Sequence, residues 1–351
     1  MLASVAHVLP LTTIKRERFL QVPGRLAVRQ GQKVNPTDVI AEAEAGPQHI
    51  MLDVARGLKL SRTEADTHIQ RKAGDHLSEG DLIAGPVGFP KRVIRAPRAG
   101  KVVISGNGQV FMEVENPPLV IQAGIPGMVI SLIPEHGATI ETTGALIQGI
   151  WGNGLIDYGL MHVLAHKPEE ILTSNQLDVS LRGSVILAGY CEDPEVLTSA
   201  EDLPIHGLIL ASMTSSLIPI ALKLSFPVLV IEGFGLLPMN TVAYNLLSAN
   251  DRNEVAINAE QLDIYKNTRP EIVIPMPSDE KPPMPNETVM FSPKQRVRIV
   301  RAPYKSQIGE VVTLRTGLEV FPTKLRSPAA EVRLENDEKV MIPLANLEVI
   351  E

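Results

Sequence analysis

Val297-Arg-Ile-Val-Arg-Ala-Pro-Tyr304-Lys-Ser-Gln-Ile-Gly309-Glu-Val-Val312 opens as alternating apolar residues and arginines, breaks at Ala-Pro-Tyr, and resumes beyond Gly309. A period of two is the mark of a strand, because successive side chains leave opposite faces. The stretch therefore reads as strand, turn, strand. Working outward, strands are predicted at 296–300, 308–314, 330–334 and 339–343, with Leu347-Glu-Val-Ile closing a small all-β module.

Those residues resemble the KOW motif, a strand–loop–strand unit of small SH3-like barrels in transcription and ribosomal proteins. The resemblance implies a barrel at 291–351 that binds protein or nucleic acid and catalyses nothing. Lys294, Arg296, Arg298, Arg301 and Lys305 occur with no acid between Ser292 and Gly309. Positions 294, 296 and 298 would share one face of a strand as a basic stripe, suited to phosphates or to an acidic protein. With Tyr304 they are the candidate partner-binding residues. The rest of the module carries eight Asp/Glu, which weakens the case for nucleic acid.

Upstream, Pro277-Ser-Asp-Glu-Lys-Pro-Pro-Met-Pro-Asn286 has four prolines and no periodicity, so 278–290 reads as a linker. The whole chain has 351 residues, enough for two or three domains. It is 44% hydrophobic and 21% charged, as in ordinary globular proteins, with a net charge of −7 that argues against wholesale nucleic-acid binding. The single Cys191 excludes an internal disulfide and any multi-cysteine metal site, and favours a reducing cytoplasm. Met1–Lys15 lacks the basic start of a signal peptide. The long apolar run 218–239 is broken by Lys223, Pro227, Glu232 and Pro238, so no membrane insertion is expected.

Residues 1–145 read as short strands between glycine turns, with a helical insertion near 51–70 where Ser61-Arg-Thr-Glu64 can cap a second helix. Two phrases are variants of one: Gly31-Gln-Lys-Val-Asn-Pro-Thr-Asp-Val-Ile-Ala-Glu42 and Gly74-Asp-His-Leu-Ser-Glu-Gly-Asp-Leu-Ile-Ala84. Followed by Ala96-Pro-Arg-Ala-Gly-Lys-Val102, they resemble the barrel-sandwich hybrid, the fold of biotinyl and lipoyl carriers and of non-carrier domains. Lys91, the only lysine near the hairpin, lacks the Met-Lys-Met or Asp-Lys-Ala setting of a carrier and reads as a solvated side chain. A further echo links Val22-Pro-Gly to Ile125-Pro-Gly.

Residues 146–277 alternate apolar strands with helix-length stretches: Val185-Ile-Leu-Ala, Gly207-Leu-Ile-Leu, Pro227-Val-Leu-Val-Ile and Glu271-Ile-Val-Ile. That rhythm predicts βαβ crossovers and a parallel sheet. Asp193-Pro194 predicts one helix start, and Ser212 or Thr214 the next. Ligands of such sheets bind beyond the carboxyl ends of the strands. Candidate ligand-binding residues are therefore Gly152, Asn153 and Gly154 in a glycine loop, Thr214 and Ser215 at a helix start, and Glu232, Gly233 and Gly235 after a buried strand. His162 and His166 have the spacing of one helix face but lack the glutamate of a zinc-protease motif.

The sequence thus predicts a multidomain protein, α/β plus all-β: a barrel-sandwich hybrid, a small parallel-sheet α/β domain and an SH3-like barrel. No catalytic set, metal site or cofactor is expected. The leading functional reading is a non-enzymatic adaptor that docks protein partners. Binding of RNA or DNA through the C-terminal module, and ligand binding or catalysis by the α/β domain, are the alternatives.

Overall fold

Short apolar strands punctuated by glycine and proline dominate the chain, and the computed structural model is 48% strand and 13% helix. It describes residues 2–114, 116–263, 268–278, 281–286, 288–305, 307–334 and 336–350. The strands form several sheets, and among the described residues no sheet closes into a barrel. Contacts divide the chain into two units: Met1–Phe19, Leu26–Ala41 and Ile121–Glu351 form one, Leu20–Arg25 and Glu42–Val120 the other. This division differs from the three consecutive domains expected from sequence.

The two related phrases fold as two copies of one β module. The framework copy has strands in the order Val8–Phe19, Gly137–Gln148, Gly127–Ile133, Lys33–Val34. The inserted copy repeats it as Gln48–Asp53, Gln109–Val114, Gly100–Gly106, His76–Leu77. Every neighbouring pair is antiparallel in both. The inserted copy lies in the chain between the two halves of the framework copy, so the duplication is nested, not tandem. Backbone hydrogen bonds recur one for one. Gly31 donates to Val129 and Val129 to Gln32, at 2.8 and 2.9 Å; Gly74 donates to Val102 and Val102 to Asp75, both at 2.8 Å. Asp38 and Asp81 accept the N–H groups of Asn35 and Ser78 at 2.8 and 2.9 Å, closing equivalent turns. Gly31 and Gly74 both adopt positive φ, +81° and +100°, where a Cβ is disfavoured. A β-bulge follows Val129 in one copy and Val102 in the other. Gly127 pairs with Val34 as Gly100 pairs with Leu77, so the partner of Ile125-Pro-Gly is Arg98-Ala-Gly and not Val22-Pro-Gly.

Each copy has its own apolar core. Ile40, Val129 and Ile140 centre the first; Ile83, Val102 and Met112 centre the second. The inserted copy adds helices Val54–Leu58 and Arg62–His68, the latter with the capping box expected at Ser61 and Glu64. Leu58 and Ala65 bury their side chains in its core.

In the α/β region, strands Ile156–Val163, Ser184–Cys191, Gly207–Met213 and Val228–Phe234 are parallel neighbours. Strand Glu271–Pro275, expected to extend that series, is instead antiparallel to Glu254–Asn258 and Gly137–Gln148, which joins this sheet to the framework copy. Helix Pro194–Glu201 starts at the Asp193 cap as expected and packs on one sheet face with Ile186, Leu208 and Val228. Helix Thr241–Ser248 packs on the other with Leu187, Ile209 and Leu229. The segment after Thr214 forms only a 3-10 turn, Ser215–Leu217, and a short helix, Ile218–Ala221, without a side-chain cap. Pro219 has no N–H to donate, and Leu222 and Lys223 already end the helix. His162 lies on a strand and His166 in the following loop, so the expected helix face does not form.

The C-terminal sheet is completed from the other end of the chain. Leu2–Ala6 runs parallel to Leu347–Ile350 and antiparallel to Thr288–Met290. Arg296–Ile299 continues beyond Leu347–Ile350, followed by Ile308–Val320, Arg326–Leu334 and Lys339–Pro343. The proline-rich stretch is pinned as well: Thr12 and Thr13 hydroxyls donate to the Pro283 and Pro282 carbonyls at 2.8 and 2.6 Å. Residues 279, 280 and 287 of the expected linker lie outside the described residues. No described helix is long and apolar enough to cross a membrane.

Candidate functional site

The parallel strands bring their carboxyl ends to one side of the sheet. Leu210 pairs with Val230 but Ser212 pairs with Gly233, so the last strand holds one extra residue at this point. Such a bulge re-aims side chains, and Gly233 and Gly235 accommodate it with φ of +129° and +116°. Glu232 sits in the bulge and is buried. Its Oε1 accepts from the Asn240 backbone at 2.8 Å and from Asn240 Nδ2 at 2.5 Å. Asn240 in turn caps helix Thr241–Ser248 by accepting from Ala243. Ser212 does not cap the helix after it: its hydroxyl donates to Leu237 O and accepts from Leu237 N, clamping the loop before Asn240.

The second carboxylate oxygen of Glu232 lies 3.0 Å from Arg298 Nη2. Arg298 is 1% exposed. It also lies 3.6 Å from Glu348, which pairs with Arg269 at 2.7 Å. The alternation of Val297, Arg298 and Ile299 is real, but its two faces are both buried: Val297 and Ile299 enter the C-terminal core, and Arg298 enters this ionic row. The expected basic stripe of positions 294, 296 and 298 therefore loses Arg298, its last member. Arg298 contacts Glu232 and Glu348 without hydrogen-bond alignment, and its Nε has no acceptor among the described residues. A buried charge held this way resists removal of either partner, since the remaining charge would be stranded.

A cavity of about 530 Å³ opens beside this row. Glu232, Asn240, Thr241 and Glu169 line it from the sheet ends; Lys305, Gln307 and Asn336 line it from the C-terminal module. It is the place where the two groups of sequence candidates meet, through Glu232 and Lys305. Thr214 and Ser215 follow the neighbouring strand at the same end, with Thr214 N bonded to Cys191 O. Gly152, Asn153 and Gly154 lie at the opposite, amino end of strand Val228–Phe234. There the Asn153 amide donates to Ala221 O and Phe226 O at 3.1 and 2.9 Å, holding the approach to that strand. Gly152 packs against the Ala259 backbone, where a Cβ would collide.

Lys294 occupies a positive-φ turn, and with Arg296 it lines a shallow depression shared with Glu310, Arg333 and Asp337. Arg301 is exposed, and the Tyr304 hydroxyl reaches Glu338 at 3.5 Å. Cys191 is a neutral thiol, with burial pushing its pKa up to about 12. Among the described residues no group of three His, Cys, Asp or Glu is placed to hold a metal.

Sequence reasoning missed Asn240, Glu348 and Arg269. Their one local signal is an asparagine three residues before Ala243 at a helix start; the ion pairs join residues 50 to 79 positions apart in the chain. No protein-family model matches this chain. No curated protein matches it either.

Proposed function

We propose that this protein is a non-enzymatic docking protein, built from two modules resembling barrel-sandwich hybrids, an α/β sheet and a KOW-like module of the SH3 type. The recurring hydrogen bonds of the two copies support the first resemblance, and the strand order after Arg296 is compatible with the second. One observation carries the docking reading: the outer sheet face of the inserted copy is apolar and open. Met51 pairs with Phe111 and Phe111 with Ile104, a row across three strands, with Met51 and Ile104 62% and 63% exposed. The His49 ring stacks on Phe111 at 5.2 Å, and Glu113 and Lys101 form a charged row alongside. A contiguous apolar row with a polar border is the anatomy of a protein contact. The occupant is a protein segment with an apolar face and a polar margin.

The test is a matched purification from cells of the source organism with the wild type and with Ile104→Asp. An exposed substitution shifts stability by no more than about 0.5 kcal/mol. A partner recovered with the wild type and lost with the variant, at equal thermal stability, supports the reading; identical recoveries refute it. The cavity beside Glu232 favours a second reading, a small polar ligand held at the strand ends by Thr241, Gln307 and Lys305. Stabilisation by nucleotides or phosphorylated metabolites that Lys305→Ala abolishes would support it. Nucleic-acid association would have to use Lys294, Arg296, Arg301 and Lys305 without Arg298.

A further inference from the structure

The two β copies share a strand order but finish the same sheet edge differently. Strand Gln48–Asp53 is the outermost of its four-stranded sheet and pairs only with Gln109–Val114. That ladder runs from Gln48 to Asp53 without a bulge. The other edge of the strand has no backbone partner among the described residues. A bare edge is a template for pairing with another chain, and proteins blunt it with charges, proline, bulges or a covering segment. The framework copy does so. Ile50 pairs with Met112 as Arg16 pairs with Ile140, so the equivalent of His49-Ile-Met-Leu52 is Lys15-Arg-Glu-Arg18. The nearby Thr13 gives its N–H to Pro283 O at 3.3 Å. The inserted copy has neither device. Its edge holds no lysine, arginine or proline between Gln48 and Asp53. His49, Met51 and Asp53 are exposed on one face, and Ile50 and Leu52 pack against the core on the other.

We propose that this edge joins two copies of the chain, with Gln48–Asp53 of one antiparallel to the same strand of the other about a twofold axis at Met51. Residues paired in an antiparallel ladder share a face, so a strand pairing with its own copy must centre on one residue. Centred on Met51, every partner is complementary: Met51 meets Met51, Ile50 meets Leu52, and His49 meets Asp53. Centred on Ile50, His49 would meet Met51 and Gln48 would meet Leu52, polar against apolar. Directly opposed side chains lie close enough for these matches to decide the register. The polar match has free atoms to make it. Asp53 Oδ1 accepts from Arg56 N, and its second oxygen has no partner among the described residues. The His49 ring stacks on Phe111 with Nε2 3.6 Å from Glu113, and Nδ1 has no partner among the described residues. An imidazole N–H donating to a carboxylate makes a charge-assisted bond, formed twice in the pair. The two four-stranded sheets become one, and the apolar rows of Ile104, Phe111 and Met51 meet end to end. The sheet face itself stays open in the pair, so this edge contact and the docking of another protein on that face stand or fall separately.

Sedimentation velocity of the full-length protein over a range of concentrations measures the pairing. The wild type is expected to form a dimer that dissociates on dilution. Met51→Lys and Met51→Glu each set like charges opposite one another, and each is expected to be monomeric. Their equal mixture is expected to regain the dimer, because residue 51 faces its own counterpart. Met51 is 62% exposed, so neither substitution disturbs the fold. Ile104→Asp, two strands in from the edge, is expected to leave the dimer intact. The proposal is overturned by a wild type that stays monomeric at every concentration, by a dimer that survives Met51→Lys, or by an equal mixture that stays monomeric. It is also overturned by a dimer that Ile104→Asp abolishes, which would put the contact on the sheet face.

Discussion

The framework copy and the inserted copy share strand order, turn chemistry, glycine positions and even the site of a bulge, yet their interiors obey different rules. The inserted copy closes with Ile50, Leu52, Leu58 and Ala65, an apolar core that two capped helices complete. The framework copy instead turns Arg16 and Arg18 toward carboxylates distant in the chain, Glu271 on a strand and Glu260 just after one. The difference teaches that the module's fold depends on its backbone hydrogen bonds and a few buried positions such as Ile40/Ile83 and Val129/Val102. The remaining inward positions are free to carry other chemistry.

The sharpest way to break the comparison is to strand one charge. Glu271→Leu alone leaves Arg16 without its bidentate partner and is expected to cost about 3 kcal/mol, whereas adding Arg16→Ile should recover most of that loss. Urea denaturation of the single and double variants measures both. Equal losses would mean that the arginine is no more at home than an isoleucine would be.

The next effect is confined to the charged copy and depends on pH. Burial first, then the Arg16 and Arg269 cations, lower the His7 pKa from 6.5 to about 4, with Glu271 pulling the other way. The folded state therefore excludes a proton that the unfolded chain accepts. This contribution is complete above pH 6.5 and is lost as pH falls toward 4, by roughly 1.4 kcal/mol per pH unit. His7→Gln is expected to flatten the acid limb of the stability curve across that window, seen as converging urea midpoints for the two proteins. At and above pH 7 the offset between the two midpoints is expected to be constant.

The smallest effect tests the likeness instead of the difference. Gly31→Ala and Gly74→Ala each place a Cβ in a positive-φ turn with open space around it, so strain alone should cost about 1 kcal/mol in each copy. Unequal losses would show that the two turns, despite matching hydrogen bonds, are held by different surroundings.

Much of this architecture was legible in local sequence. The duplicated phrase, the Ser61–Glu64 capping box, the Asp193-Pro194 helix start and the parallel run from 185 to 234 follow from periodicity and from residues whose backbone preferences act over a few positions. The candidate sites were legible only in part. Glu232 was found because a carboxylate ending a buried strand stands out, but its partner Arg298 was assigned to a surface stripe. A Val-Arg-Ile alternation looks the same whether the polar face meets water or a buried glutamate. The run Lys15-Arg-Glu-Arg18 carried the same alternating arginines and drew no notice, for the same reason.

By itself the sequence determined the elements, their turns and the existence of a repeat, because these depend on φ preferences, caps and a period of two. Only the tertiary structure decided that one copy lies within the other, that Leu2–Ala6 completes the sheet of the last sixty residues, and that alternating arginines point inward. Those outcomes depend on which distant strand supplies the opposing carboxylate, and no local preference encodes that choice.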